Sequence, residues 1–161
     1  GVQTCALPIC TRVGVHSGEV IVGNFGGSTM FDYRALGDAV NTSSRLEGAN
    51  KHLGTTVCVS EETLSGCPGV IARPIGQLVV KGKTKALAVF DPLEMASGPA
   101  LKQRDVEYDA AYALMKLGDT AAALAAFEQL ARARPGDRLV GFHVERLREG
   151  AADDFIKLDE K

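Results

Sequence analysis

The chain has 161 residues, a formal net charge of −2, 45% hydrophobic and 24% charged residues, the profile of one medium globular domain with room for an appendage. That balance leaves no electrostatic footprint for nucleic acid and no like-charge tail. The longest apolar runs, such as VIVG at 20–23 and ALAVF at 86–90, fall far short of the roughly 20 residues a membrane-spanning helix needs. The four cysteines form no CxxC pair and the three histidines are scattered. This speaks against a zinc centre or a disulfide framework and for a reducing compartment.

Residues 1–9, GVQTCALPI, match the translation of a common sequencing-adapter oligonucleotide. Residues 1–10 are therefore expected to be non-native and are set aside from the fold. RVGVH alternates and is β-branched, so it reads as a strand. Ser17-Gly18 breaks it, EVIVGNF resumes it, and Gly26-Gly27-Ser28 makes a turn into a third strand, MFDYRAL. Gly37-Asp38 opens a helix of about three turns, with Asp38 as its N-cap and an end near Gly48 or Asn50. TTVCV at 55–59 is a further strand, in which Cys58 reads as a small buried hydrophobe. SEETL at 60–64 opens a short capped helix. GVIARPIGQLVV and ALAVFDPL form a β-ribbon joined by KGKTK at 81–85.

Composition changes around Met95-Ala96-Ser97-Gly98-Pro99, which sets a linker at 97–106 between a first unit, 11–96, and a helical tail, 107–161. In the tail, Tyr108, Tyr112 and Met115 share one helical stripe, and Leu124, Phe127, Leu130 and Ala131 share another. Gly118-Asp119 separates these two helices, Arg134-Pro135-Gly136-Asp137 ends the second, and a third covers 138–149. GDTAAALAAFEQLARARP resembles the second half of a tetratricopeptide repeat, with Ala123, Phe127 and Pro135 at the repeat's spacing. The tail is read as a helical hairpin that packs on its own domain or contacts a protein partner.

In helical projection Asp38, Asn41 and Arg45 fall on one stripe, while Ala39, Ser43, Leu46 and Ala49 fall on another suited to packing on a sheet. A polar stripe is ordinarily a solvated face. An amide and a guanidinium one turn apart also suit a polyanion, because arginine presents a planar fork of donors to phosphate oxygens and asparagine both donates and accepts. His16, on an alternating strand, reads as a packed residue rather than a catalyst, and the glycines at 23, 26 and 27 read as parts of a hairpin.

Three blocks, RVGVHSGEVIVGNFG, FDYRALGDAVNTSSRLE and LVVKGKTKALAVFDP, occur in an order and at intervals that resemble the C-terminal half of a class III nucleotide cyclase catalytic domain. The resemblance implies an α+β fold, part of a ferredoxin-like domain with an antiparallel-rich sheet and helices on one face, followed here by the helical tail. It implies intramolecular phosphoryl transfer, ATP to cyclic AMP and diphosphate, with GTP as the alternative substrate. Asn41 would orient the ribose, Arg45 would stabilise charge at the α-phosphate and Lys81 would hold the terminal phosphates. Arg34, Leu36 and Gly37 would line the substrate. Arg34 stands where the family usually has threonine or aspartate, and an arginine cannot accept a hydrogen bond from the adenine amino group. Ser43 replaces a small apolar residue.

The family's Mg2+ or Mn2+ ions are held by two aspartates on strands upstream of RVGVHSG, so no metal ligand is expected in this chain, and the chain alone is expected to make no cyclic nucleotide. Because the family's site lies between two catalytic domains, a homodimer is implied, with no nucleic-acid partner. A cytoplasmic catalytic domain, in a free or membrane-anchored parent, follows as an expectation. The rival readings are a non-catalytic, nucleotide-binding or dimerising regulatory domain, which Arg34 favours, and a protein-docking module built on the tail.

Overall fold

The computed structural model describes residues 11–27, 30–79, 85–93 and 105–157. The adapter-like segment, Lys81 and all but the last two residues of the expected linker lie outside them. In chain order the elements are β1 (Val13–Val15), β2 (Ile21–Gly27), β3 (Met30–Leu36), α1 (Asp38–Leu53), β4 (Val57–Ser60), α2 (Glu61–Ser65), β5 (Ala72–Val79) and β6 (Leu87–Pro92). Then come α3 (Val106–Lys116), α4 (Thr120–Ala133), α5 (Arg138–Arg148) and β7 (Phe155–Lys157). The fold is α+β. A five-stranded sheet has the order β1-β4-β6-β5-β7, and β2 and β3 form a separate two-stranded hairpin. The β4–β6, β5–β6 and β2–β3 pairings are antiparallel, and β1–β4 and β5–β7 are parallel.

Local chemistry explains most boundaries. The carboxylates of Asp105, Asp119 and Asp137 each accept a hydrogen bond from a first-turn N–H, of Tyr108, Ala122 and Val140 respectively. Ser60 does the same for α2 through Thr63. Such caps typically contribute about 1 kcal/mol each.

At α1 the expectations need two corrections. The N-cap is Gly37, and Asp38 is already helical, where its charge faces the positive end of the helix dipole. The helix also runs past Gly48 and Asn50 to Leu53. It stops at Gly54, which takes the left-handed conformation (φ 75°) and donates its N–H to the Asn50 carbonyl.

The tail is not a separate body. Tyr108, Ala111, Met115, Phe127, Leu139, Val140 and Leu147 share one core with Leu46, Leu53, Cys58, Ile75, Leu78, Leu87 and Val89. The tail also supplies β7, a strand that no alternation in the sequence announced. Tyr112 and Met115 are buried on α3, as are Ala123, Phe127 and Leu130 on α4.

At the centre of the tail, His143 is fully buried. It shares a 2.9 Å hydrogen bond through Nε2 with the Tyr108 hydroxyl and stacks on Phe127, the ring centroids 4.8 Å apart. Tyr112 and Phe142 also flank it edge-on. Burial first, then the Arg146 and Arg73 cations, push its pKa down from 6.5 to about 3. The unfolded chain therefore binds a proton that the native fold refuses throughout that interval. The His143 contribution is constant above pH 6.5 and lowers stability as pH drops from 6.5 toward 3, by roughly 4 to 5 kcal/mol in all. Urea unfolding at stepped pH is expected to show this slope, and His143→Leu is expected to flatten it. An unchanged slope in the variant rules the histidine out as its source.

Candidate active site

The site forms around α1, whose seat is set by glycines. A Cβ on Gly14 in β1 would lie 2.2 Å from the Ser43 carbonyl oxygen and 2.3 Å from the Glu47 nitrogen. A Cβ on Gly18 would lie 2.8 Å from the Ala39 Cβ, and one on Gly37 would lie 2.9 Å from the Glu19 carbonyl oxygen. The helix thus rests on backbone along β1 and the segment after it. Gly14→Ala must push α1 off β1, because the atoms it meets are backbone and cannot swing aside. We expect a loss of about 1 to 3 kcal/mol, read by thermal unfolding. A variant of unchanged stability would show that β1 and α1 are not locked at this contact.

Asn50 closes the other end of the seat. Its Nδ2 donates to the carbonyls of Val13 (3.0 Å), Leu46 (3.1 Å) and Glu47 (3.2 Å), and its Oδ1 accepts from the Thr55 hydroxyl at 2.7 Å. The sequence held a hint that went unread: asparagine inside a helix is disfavoured unless its amide finds backbone partners.

With Ala39, Thr42, Leu46, Ala49, Asn50 and Leu53 buried, the opposite face of α1 carries Asp38, Asn41, Ser44 and Arg45, all exposed. Asn41 and Arg45 are one turn apart, a rise of about 6 Å. The neighbouring hydroxyls turn inward. Thr42 donates to the Asp38 carbonyl at 2.8 Å and Ser43 to the Ala39 carbonyl at 3.0 Å, so the amide and the guanidinium are the longer groups this turn offers to a ligand.

Arg34 and Leu36 occupy one face of the hairpin, in register with Gly23 and Ile21. The Arg34 guanidinium meets Asp32 Oδ2 through Nε at 2.6 Å and Nη2 at 2.5 Å, with both side chains exposed. Gly37 joins this strand to α1. Arg34, Leu36, Gly37, Asn41 and Arg45 therefore lie along one continuous strand–helix segment; Lys81 is outside the described residues. The hairpin exposes Ile21 (73%), Phe31 (71%) and Tyr33 (72%), with Val22 and Leu36 about half exposed.

His16 is packed, as its strand position suggested. Its Nδ1 shares a 2.8 Å hydrogen bond with Ser60 Oγ, and its side chain is 8% exposed. A cavity of about 860 Å³ lies at the far end of α1, lined by His52, Phe142, Arg146 and Phe155 among others. It contains none of these candidates. Among the described residues no three His, Cys, Asp or Glu side chains converge to hold a metal ion. No helix among them is long and apolar enough to cross a membrane.

Known proteins are similar to this chain over about half of its length. Adenylate cyclase 1 of Rhizobium meliloti is 40% identical over 82 residues, 50% of this chain and 12% of that protein. The adenylate cyclase of Anabaena cylindrica is 34% identical over 87 residues, 52% of this chain and 17% of that protein. The chain thus spans less than a fifth of either relative. The crystal structure of the adenylyl cyclase CyaB from P. aeruginosa overlaps 52% of this chain and 42% of its own, at 33% identity and a TM-score of 0.46. Residues 2–90 match the family described as the adenylate and guanylate cyclase catalytic domain, and the chain belongs to that family.

Proposed function

We propose that the chain forms one wall of an adenylyl cyclase site, where ATP becomes cyclic AMP and diphosphate. The observation that carries this reading is the pairing of Asn41 and Arg45 on the exposed face of a helix whose other face is locked to β1. In the proposed reaction the ribose 3′-hydroxyl attacks the α-phosphorus and the bond to the bridging oxygen breaks, releasing diphosphate. Asn41 orients the ribose and Arg45 meets the charge growing on the α-phosphate. Lys81 holds the terminal phosphates. Positioning and fixed charge are what such a transfer needs from a protein.

An exposed helix face encloses nothing, so a second surface must complete the site. The hairpin supports a second copy of this chain as that surface. Among the described residues its strands pair with each other and with no third strand, and on one face they leave Val22, Phe31 and Tyr33 at least half open. An apolar patch of this kind marks an association surface.

Full-length protein, supplied with Mg2+ or Mn2+ and offered ATP and GTP separately, tests the reading. It is expected to be dimeric by sedimentation and to release cyclic AMP from ATP. Phe31→Glu/Tyr33→Glu is expected to sediment as a monomer and to lose turnover. A fully active monomer removes the shared site. Preferential turnover of GTP selects the second reading, a guanylyl cyclase. Nucleotide binding without turnover by the dimer selects a regulatory domain.

A further inference from the structure

The parallel strands β1 and β4 end level, with Val15 paired to Val59 at the last rung. The residues that follow, His16 and Ser60, meet side by side. His16 Nδ1 shares a 2.8 Å hydrogen bond with Ser60 Oγ. Ser60 Oγ also accepts from the Thr63 N–H at 3.5 Å and stands 3.3 Å from Thr63 Oγ1. Thr63 Oγ1 shares a 2.9 Å hydrogen bond with Ser17 Oγ. Four side chains thus close a ring that ties the end of β1 to the start of α2. Ser60 is fully buried and the His16 side chain is 8% exposed, so water has little access to their contact. The half-exposed Glu62 carboxylate lies 3.9 Å from Nδ1.

The same segment touches the helix of the candidate site. A Cβ on Gly18 would stand 2.8 Å from the Ala39 Cβ and 3.9 Å from His16 Nε2. Gly18 therefore lies between the imidazole and the first turn of α1. One residue on, the Glu19 carbonyl oxygen stands 2.9 Å from where a Cβ on Gly37, the N-cap of α1, would be. Residues 16–20 belong to no strand or helix. The His16 and Ser17 side chains hold them from the α2 side, and α1 rests on them from the other.

We propose that His16 is a positioning residue of the nucleotide site. Its imidazole pins residues 16–19 to Ser60, and those residues set where the first turn of α1 stands. Asn41 follows Ala39 by two residues, so a shift at the Gly18–Ala39 contact carries it along. His16 is buried and acts on the reaction through Asn41. A displacement of about 1 Å can cost about 10²-fold in rate. This proposal rests on the reading of Asn41 given above and adds a residue outside the exposed face of α1.

Kinetics of the full-length protein with Mn2+ and ATP test it. His16→Phe keeps a ring and removes the hydrogen bond to Ser60. His16→Asn drops the ring and returns a polar atom at the same reach from the backbone as Nδ1. Each is made with Asn41 and with Asn41→Ala, and kcat, KM and thermal unfolding are measured. Leu130→Ala, a core truncation in α4, serves as a destabilised control.

His16→Phe is expected to lower kcat about tenfold and to leave KM within about twofold. His16→Asn is expected to recover most of that loss. In the Asn41→Ala background His16→Phe is expected to change kcat less than about twofold, because the group it positions is gone. Leu130→Ala is expected to leave kcat alone. An undiminished loss in the Asn41→Ala background, equal losses in His16→Phe and His16→Asn, or a matching loss in Leu130→Ala each overturn the proposal. Wild-type turnover by Asn41→Ala removes the reading of α1 and this proposal with it. A large loss in Asn41→Ala beside none in His16→Phe removes the proposal alone. Should His16→Phe fail to fold, Ser17→Ala, which opens the same ring at an exposed position, takes its place in the cycle with the same expected dependence on Asn41.

Discussion

Asn41→Ala and Arg45→Ala are each expected to lower kcat by about 10²-fold or more, the usual consequence of deleting one preorganised donor at a developing charge. Both side chains are exposed, so neither deletion opens a cavity. Exposed substitutions of this kind usually change stability by less than about 0.5 kcal/mol. The expected signature is therefore a large fall in kcat beside an unchanged melting temperature.

Comparison of kcat with kcat/KM sharpens the assignment. Equal falls in both mark an interaction made only in the transition state, which is the expectation for Arg45. Arg45→Lys keeps the charge but loses the fork of donors, and recovers little if two phosphate oxygens must be gripped together. Turnover near wild type in both alanine variants would return this face of α1 to the ordinary reading of a solvated surface.

Arg73→Ala is expected to destabilise the fold by about 3 to 5 kcal/mol, a drop of roughly 10 °C in Tm for a chain of this size. Arg73, on β5, reaches Asp91 Oδ2 on β6 at 2.8 Å and Asp137 Oδ2 at the start of α5 at 2.5 Å. It also lies 4.0 Å from Asp105 Oδ2 at the start of α3, with its guanidinium carbon 5.0 Å from the centre of the Tyr108 ring. Asp105 is held in turn by Arg134 at 2.5 Å.

These groups are only 12–16% exposed apart from Arg134, so water cannot replace the lost cation. The deletion strands carboxylates against one another, and burial already pushes the Asp91 pKa up despite its arginine partner. Adding Asp91→Asn and Asp137→Asn to Arg73→Met is expected to recover most of the loss, since asparagine also caps a helix and no unpaired charge remains. Chemical denaturation of the single and triple variants measures both. A single-variant loss below about 1 kcal/mol would class the cluster with solvent-screened surface pairs.

Much of this architecture was legible because its signals are local. Alternation located the strands from β1 to β6. Apolar periodicity located α3 and α4, Gly118-Asp119 and Arg134-Pro135-Gly136-Asp137 marked their ends, and α5 was placed after the second of these breaks. The Asn41–Arg45 pair could be placed on one face from helical spacing alone. The end of α1 was misread because Gly48 and Asn50 look like stop signals in isolation. Gly48 has no neighbour within 4 Å of where its Cβ would be, and the Asn50 amide is occupied by carbonyls of its own helix and of β1, so neither ends the helix. Asp38 was misread as the cap because its type suits the position, whereas the close approach to the Glu19 carbonyl requires glycine there.

The sequence by itself determined the order of the elements from β1 to α5 and the composition of the polar face of α1, which depend on neighbours within a few residues. Only the tertiary structure decided that the tail belongs to the sheet. A three-residue strand carries too little pattern to be read, and its partner β5 is distant in sequence, so the pairing of Gln77 with Phe155 and the convergence of Asp91, Asp105 and Asp137 on Arg73 leave no local trace. Burial of one shared core selects those contacts, and that selection acts on the folded chain as a whole.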